Sequence, residues 1–286
     1  MTASGDIAPE YVAARTVLLD ALDALRAHRH ALIIVGAQAV YLRTGSAGLT
    51  VAPFTTDGDL ALDPATLSRD PRLDIAMGAA GFTLMQRPDG AVQPGRWRGT
   101  ATVAERDYQV SVDLMVPAGA IVGGNTRGAR LPDHGNRAAM RTPGLEAVLV
   151  DRDLLQVHGL DVGDARVVEV LVAGAAALLV AKTIKLSERV AGGRPHRLKD
   201  KDAGDVTRLV RSTPVGVMAE RLVQLRRSPA AGASTEAAIA ALASLFGRPR
   251  SPGVVMAVRA LALDLPALQV EAQLPAYVGQ LVRLLS

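Results

Sequence analysis

The sequence predicts an α/β domain over residues 1–163 followed by an α-helical domain over residues 164–286. In the first half, short apolar runs and period-two segments alternate with helical patterns; from Ala173 onward a 3.6-residue periodicity takes over, punctuated by Gly, Pro or Ser. A third observation locates the centre of the first half. The apolar run 32–35 enters Gly36 and then the helical pattern 37–42, the signature of a buried strand turning tightly into a helix. The backbone N–H groups of such a turn can seat a phosphate.

Upstream, Val12, Val17, Leu18, Leu22 and Leu25 recur at helical spacing with Pro9 in a first turn, so residues 8–28 form a leading helix expected to pack on the sheet. Downstream, Thr55-Thr56-Asp57-Gly58-Asp59-Leu60 places two carboxylates at i and i+2, on one face of a strand. Like charges side by side repel, so a cation belongs between them. Divalent ions bridging a nucleoside triphosphate are the usual answer in phosphoryl transfer. Residues 108–116 alternate as a strand and embed one acid, Asp113, among apolar neighbours, a costly position unless the acid is paired or metal-bound. Segments 96–104 and 108–116 read as a hairpin turned at 105–107, which places Asp113 in the sheet of Asp57 and Asp59. Thr55 and Thr56 either orient Asp57 or are ordinary strand threonines. Trp97 stacks on a base or packs over the sheet.

The remaining elements follow in order. Residues 74–81 read as a helix with a glycine stop. Residues 117–143 are a long loop rich in Gly, Asn, Arg and Pro, and its Gly123-Gly124 run is no P-loop because no Gly-Lys-Ser/Thr follows. Segments 145–160 and 167–172 suggest further strands. The helical half divides into 174–190, 202–210, 215–225, 235–246, 254–263 and 274–285, with 228–234 as a flexible connection.

Composition narrows the function classes. The 286 residues are 49% hydrophobic, 21% charged and only 3% aromatic, so the chain is globular and stacking platforms are not its main binding device. There is no cysteine, which excludes disulfides and thiolate metal sites. His134, His158 and His196 lack metal spacing and read as surface or packing residues. The first residues lack a basic start followed by an apolar core, and the most apolar stretch, 167–181, is too short to span a bilayer, so a cytoplasmic protein without a membrane partner is expected. Residues 182–227 hold twelve Lys and Arg against five Asp and Glu, a local excess of seven positive charges in a chain of net +4. That asymmetry reads as a polyanion-facing surface, with Arg194, Arg197, Lys199, Arg208 and Arg211 tracking a backbone, or as a solvated helical face.

Within that segment Lys182, Lys185 and Arg189 share one helical face, and Lys182 follows the apolar run 178–181, so it is expected to emerge into a cleft. Asp202 and Asp205, at i and i+3, either open a helix as dipole-favoured acids or belong to a functional cluster.

Taken together, the Gly36 turn, the Asp57-x-Asp59 strand and the later Asp113 strand resemble the nucleotidyltransferase superfamily of the DNA polymerase β type. The family turn usually reads Gly-Gly or Gly-Ser, whereas here it is Gly36-Ala37. The Lys182, Arg189 and Asp202-x-x-Asp205 pattern resembles the C-terminal part of the AbiEii-type nucleotidyltransferase toxins, the family that includes the MenT toxins, and the likeness covers roughly residues 31–209. The resemblance implies a mixed sheet in the first domain and two Mg²⁺ ions held by Asp57, Asp59 and Asp113. It also implies an NTP bound at Gly36, Ala37, Thr56, Lys182 and Arg189, with Asp205 or Asp202 holding Lys182 or the acceptor. Family members often carry an Arg four residues before the first metal Asp, where this chain has Pro53. The implied reaction is transfer of an NMP to a nucleic-acid hydroxyl, in the family a tRNA 3′ end, by a toxin with a cognate antitoxin. Two alternatives stand beside it: an aminoglycoside-type small-molecule nucleotidyltransferase, and a non-catalytic nucleotide- or RNA-binding relative.

Overall fold

The computed structural model describes residues 7–45, 47, 49, 54–121, 127–193 and 199–286; Pro53, Gly123, Gly124, Arg194, His196 and Arg197 lie outside the described residues. The chain divides into two compact units. One comprises Met1–Ala39, Ala52–Thr142 and Arg152–Ala173, the other Val40–Val51, Pro143–Asp151 and Gly174–Ser286.

The first unit carries helix α1 (Pro9–Ala24), the start of α2 (Gly36–Thr44) and α3 (Leu73–Ala79). Its strands are β1 (Leu32–Ile34), β2 (Asp57–Leu62), β3 (Thr83–Gln86), β4 (Val92–Val103), β5 (Arg106–Pro117), β6 (Met140–Thr142), β7 (Arg152–His158) and β8 (Val167–Ala173). They form one mixed sheet in the order β3-β4-β5-β2-β1-β8-β7, with β6 beside β5. β2 runs parallel to β5 and β1 parallel to β8, while β1–β2, β4–β5 and β7–β8 are antiparallel.

Alternation sorts β5 into two faces. Val110, Val112, Leu114 and Val116 are buried, and Ser111, Asp113 and Met115 are half-buried on the other side. As expected, α1 packs on the sheet, against the buried face of β2, β4 and β5. A glycine lets it approach: a Cβ on Gly99 would lie 2.8 Å from Val17 Cγ1. Leu18, Leu22, Leu60, Val112 and Leu114 are fully buried there.

Several expectations shift. The first unit runs on to Ala173, past the expected boundary at 163, because β8 is the parallel partner of β1 and so belongs to the sheet. Residues 145–151 are not strand: Glu146–Leu149 form a 3₁₀ turn with Ala147 and Val148 buried, and a short apolar run does not distinguish the two. The hairpin turns at Ala104 and Glu105, both at positive φ (48° and 61°), so Arg106 and Asp107 already belong to β5. The 117–143 loop contains the short strand β6.

The second unit is helical: α4 (Ala175–Ala191), α5 (Asp200–Ser212), α6 (Val215–Arg227), α7 (Gly232–Phe246), α8 (Pro252–Ala260) and α9 (Ala267–Leu285). α4 packs on α5 and α7, α5 on α8, and α6 on α9. Gly174 at the N-cap of α4 has no side chain to offer, and Asp151 supplies the missing acceptor, its Oδ2 taking the Ala177 N–H at 2.9 Å. The connection expected at 228–234 is tighter than a flexible linker, since α7 starts at Gly232, whose N–H bonds to Ser228 O at 2.8 Å. α9 starts well before 274 and carries Pro275 inside it; a proline reads in sequence as a boundary. No described helix is long and apolar enough to cross a membrane.

Candidate functional site

In the first unit the strand register assembles the predicted acids. Parallel pairing sets Asp57 beside Ser111 and Asp59 beside Asp113. Antiparallel pairing then sets Arg96 beside Asp113 and Arg98 beside Ser111. Paired residues project to the same side of a sheet, so all six lie on the face opposite α1. Ser111 Oγ donates to Asp57 Oδ1 at 2.9 Å, and Arg96 Nε donates to Asp113 Oδ1 at 3.1 Å. The two threonines do touch Asp57, but loosely: Thr55 Oγ1 accepts its N–H at 3.4 Å, and Thr56 Oγ1 is 3.5 Å from Oδ1.

The Gly36 turn meets this row. Gly36 has φ +69°, and a Cβ there would overlap the Asp59 carboxylate, so the position is closed to side chains on two counts. Val35 N–H bonds to Asp59 O at 3.0 Å, and Ala37 is buried in the first turn of α2. Burial pushes the Asp113 carboxyl above its usual pKa; Arg96 and Arg127 draw it back only in part, and the charge of Asp57 adds to the rise. Among the described residues no three His, Asp or Glu side chains are gathered into a ready-made cation site. In this row Arg96 already engages one oxygen of Asp113.

Behind the row lies a network that sequence reasoning missed. Arg15, buried in α1, donates to Gln38 Oε1 at 2.7 Å, to His158 O at 2.9 Å and to the Tyr11 hydroxyl at 3.1 Å. Gln38 in turn donates to Ala14 O at 3.0 Å and to Asp57 O at 3.2 Å. One guanidinium thus ties α1, α2 and β7 to the first residue of the acid strand. Burial lowers the Arg15 pKa, and among the described residues it has no carboxylate partner. The available signal was a polar residue inside the apolar stripe of α1, at i+4 from Tyr11.

The second constellation lies in the second unit. Lys182 Nζ sits 3.0 Å from Asp202 Oδ1 and 2.6 Å from Asp205 Oδ2. Lys185 Nζ reaches Asp202 Oδ1 at 3.0 Å, and Arg189 Nη1 reaches Asp202 Oδ2 at 2.7 Å. The predicted helical face is therefore real, and both acids hold Lys182. The ammonium does not emerge into a cleft, however: its side chain is 7% exposed, because a buried amine is retained as a cation by facing carboxylates. Burial alone would lower the Lys182 pKa, but the charges of Asp205 and Asp202 outweigh it and hold the amine above its usual range. Burial likewise acts to raise Asp202, and the charges of Lys182 and Lys185 reverse it, holding that carboxyl well below the ordinary carboxylate range.

Other expectations resolve individually. Trp97 is buried, with Nε1–H on Ala138 O at 2.9 Å, so it packs and does not offer a stacking face. His134 is a core residue: Nδ1 accepts the Leu73 N–H at 3.2 Å, which leaves Nε2–H for Ser68 O at 2.8 Å. Arg208 is buried, its guanidinium 5.4 Å from the Tyr41 ring centroid, and Arg211 bonds to Gln273 Oε1 at 3.1 Å. Arg208 therefore drops out of the expected backbone-tracking surface, for an aromatic face and burial hold it inside.

No protein-family model matches the sequence. No curated protein matches it either. Among solved structures, the chain is similar to JHP933 from Helicobacter pylori at 12% identity, over 95% of this chain and 91% of that one, with a TM-score of 0.44. A likeness that distant carries nothing about activity.

Proposed function

We propose that the protein is a metal-dependent nucleotidyltransferase of the DNA polymerase β type. It would transfer an NMP from an NTP to a nucleic-acid hydroxyl, with the tRNA 3′ end as the acceptor that the AbiEii-type resemblance suggests. The observation that carries the reading is the placement of Asp57, Asp59 and Asp113 on one face of two adjacent strands, with the Gly36 turn packed against Asp59. Three carboxylates beside a glycine turn at a helix start match hard-cation and phosphate chemistry.

Carboxylate oxygens suit Mg²⁺ by donor type, and Asp57, Asp59 and Asp113 would hold the two ions; when bound, these would supply charge neutralisation on the phosphates and acidify the attacking hydroxyl. The chain's own residues do the rest. Backbone N–H groups at Gly36 and Ala37 would hold phosphate oxygens, with no hydroxyl from the turn to help. Ser111, Thr55 and the Arg15–Gln38 pair fix Asp57. Arg96 orients Asp113, which would accept the proton lost by the attacking hydroxyl as its oxygen bonds to the α-phosphorus and pyrophosphate leaves. In the second unit Lys182, Lys185 and Arg189 all pair with Asp202, Lys182 with Asp205 as well, and a phosphate role for Lys182 and Arg189 follows from the resemblance alone. A toxin role with a cognate antitoxin follows from the resemblance alone.

One observation favours a second reading, a nucleotide- or RNA-binding protein without transfer. Arg96 takes up an Asp113 oxygen where a cation would bind, and no three acids are gathered for a metal among the described residues. Incubating the chain with each α-labelled NTP, Mg²⁺ and total tRNA separates the two. Labelled RNA, lost in Asp57→Asn, supports transfer, whereas saturable nucleotide binding with no labelled product supports the second reading.

A further inference from the structure

Within the first unit an open groove of about 520 Å³ lies between the β3–β4 turn and the segment that leads into β6. Arg87, Arg127 and Arg137 line it together with Gly90, Gly128 and Asn136, and among the described residues no acidic and no aromatic one lines it. Cations gathered along one groove favour an anion there. Among the described residues neither Arg87 nor Arg137 has a carboxylate partner.

The walls are fixed by backbone bonds. Arg87 N–H bonds to Ala91 O and Gly90 N–H to Arg87 O, both at 2.9 Å, closing the turn on one side. On the other side Arg137 O accepts the Gly95 N–H at 2.8 Å, and a Cβ on Gly128 would overlap Asn136 O. Backbone hydrogen bonds therefore hold the chain at Arg87 and at Arg137. The groove adjoins the acid row along β4: Pro94 of its wall is two residues from Arg96, which donates to Asp113 at 3.1 Å.

An open basic trough with no stacking surface suits a phosphodiester backbone better than a base, and a run of separate phosphates better than one compact group. We propose that the Arg87–Arg127–Arg137 groove carries backbone phosphates of the acceptor strand and leads its terminal hydroxyl to Asp113. This rests on the nucleotidyl-transfer reading above for the word acceptor, but not for the binding itself.

The test uses the full chain and a fluorescein-labelled single-stranded RNA of about 20 nucleotides, followed by anisotropy across a salt titration, alongside a fluorescent NTP analogue. Arg87→Ala/Arg137→Ala is expected to weaken RNA binding about tenfold or more and to flatten the slope of log affinity against log salt by about 1.4, two phosphate contacts on a single strand. NTP-analogue binding is expected to stay unchanged. Arg87→Lys/Arg137→Lys, which retains the charge, is expected to keep most of the slope. Unchanged RNA affinity and slope in the Ala pair would overturn the proposal, as would loss of analogue binding with RNA binding intact, which would give the groove to the triphosphate. A Lys pair that loses the slope as fully as the Ala pair would overturn it too, since charge would not then be what binds. Should the parent chain bind RNA through these arginines yet transfer no nucleotide, the groove stands and the transfer reading alone falls.

Discussion

Two clusters of aspartates occupy this molecule, and they are neutralised in opposite ways. In the helical unit, Asp202 and Asp205 are almost wholly buried and face Lys182, Lys185 and Arg189, so every carboxylate has a cation within 3.0 Å. In the sheet unit, Asp57, Asp59 and Asp113 stand half-buried in a row, where Arg96 pairs with Asp113 at 3.1 Å and Ser111 donates to Asp57 at 2.9 Å. The first arrangement holds two helices together. The second sets three carboxylates along one sheet face, and its signature is opposite in sign: Asp202 is held below its usual pKa, Asp113 above it. A carboxylate that faces cations from a neighbouring helix is held ionised, whereas one whose burial outweighs its cations is pushed toward its neutral form.

The sharpest way to break this contrast is to remove one acid from each cluster and read both activity and stability. Asp57→Asn is expected to reduce nucleotide transfer by about 10³-fold or more, since metal-type charge stabilisation is worth several kcal/mol. Its unfolding midpoint in urea should stay at or above that of the parent. Equal transfer rates would make the row structural. Asp205→Ala should do the reverse to stability, costing about 3–5 kcal/mol because it strips a partner from a buried ammonium. A urea midpoint within error of the parent would show the helical cluster to be no stabilising lock.

Acid titration sharpens the difference in sign. A carboxyl depressed in the fold, as Asp202 is, adds stability above its ordinary pKa of 3.8 and loses it as pH falls below that value. A carboxyl raised in the fold, as Asp113 is, binds its proton more readily when folded, so its contribution to stability declines as pH rises through its folded value. Thermal melts should therefore show Asp202→Asn destabilised at pH 7 and converging on the parent towards pH 2. Asp113→Asn should converge with the parent at low pH but lie level with it or above it at pH 7. Parallel curves for the two variants would remove the distinction. The smallest effect lies outside both clusters: Glu105→Gly at φ 61° should raise stability by up to about 1 kcal/mol in urea melts, because the hairpin turn places a side-chain residue in the left-handed region.

Much of this was legible in the residues. The Gly36 turn, the two-residue spacing of Asp57 and Asp59 and the alternation around Asp113 are local patterns, and local patterns fix which face a side chain takes. The succession of helices after Ala173 was readable for the same reason. Pairing partners were not. Nothing in the spacing says that Arg96 lies opposite Asp113, or that Ser111 bonds to Asp57, because register is decided between strands. Arg15 escaped notice because a helical arginine reads as solvated until its acceptors, distributed over Tyr11, Gln38 and His158, are seen together. Lys182 was placed on the correct helical face, but its distance from water depended on Asp202 and Asp205 arriving from the next helix.

The placement of β8 bears on how the protein is made. β1 is formed from residues 32–34, yet one of its two neighbours is β8, residues 167–173. On a ribosome emitting about 5–20 residues each second, the first strand would wait roughly 7–30 seconds with that edge bare. A bare apolar edge is a template for pairing with another nascent chain. Synthesis at low temperature or in the presence of a holdase chaperone should accordingly raise the soluble yield more than any substitution in the helical unit.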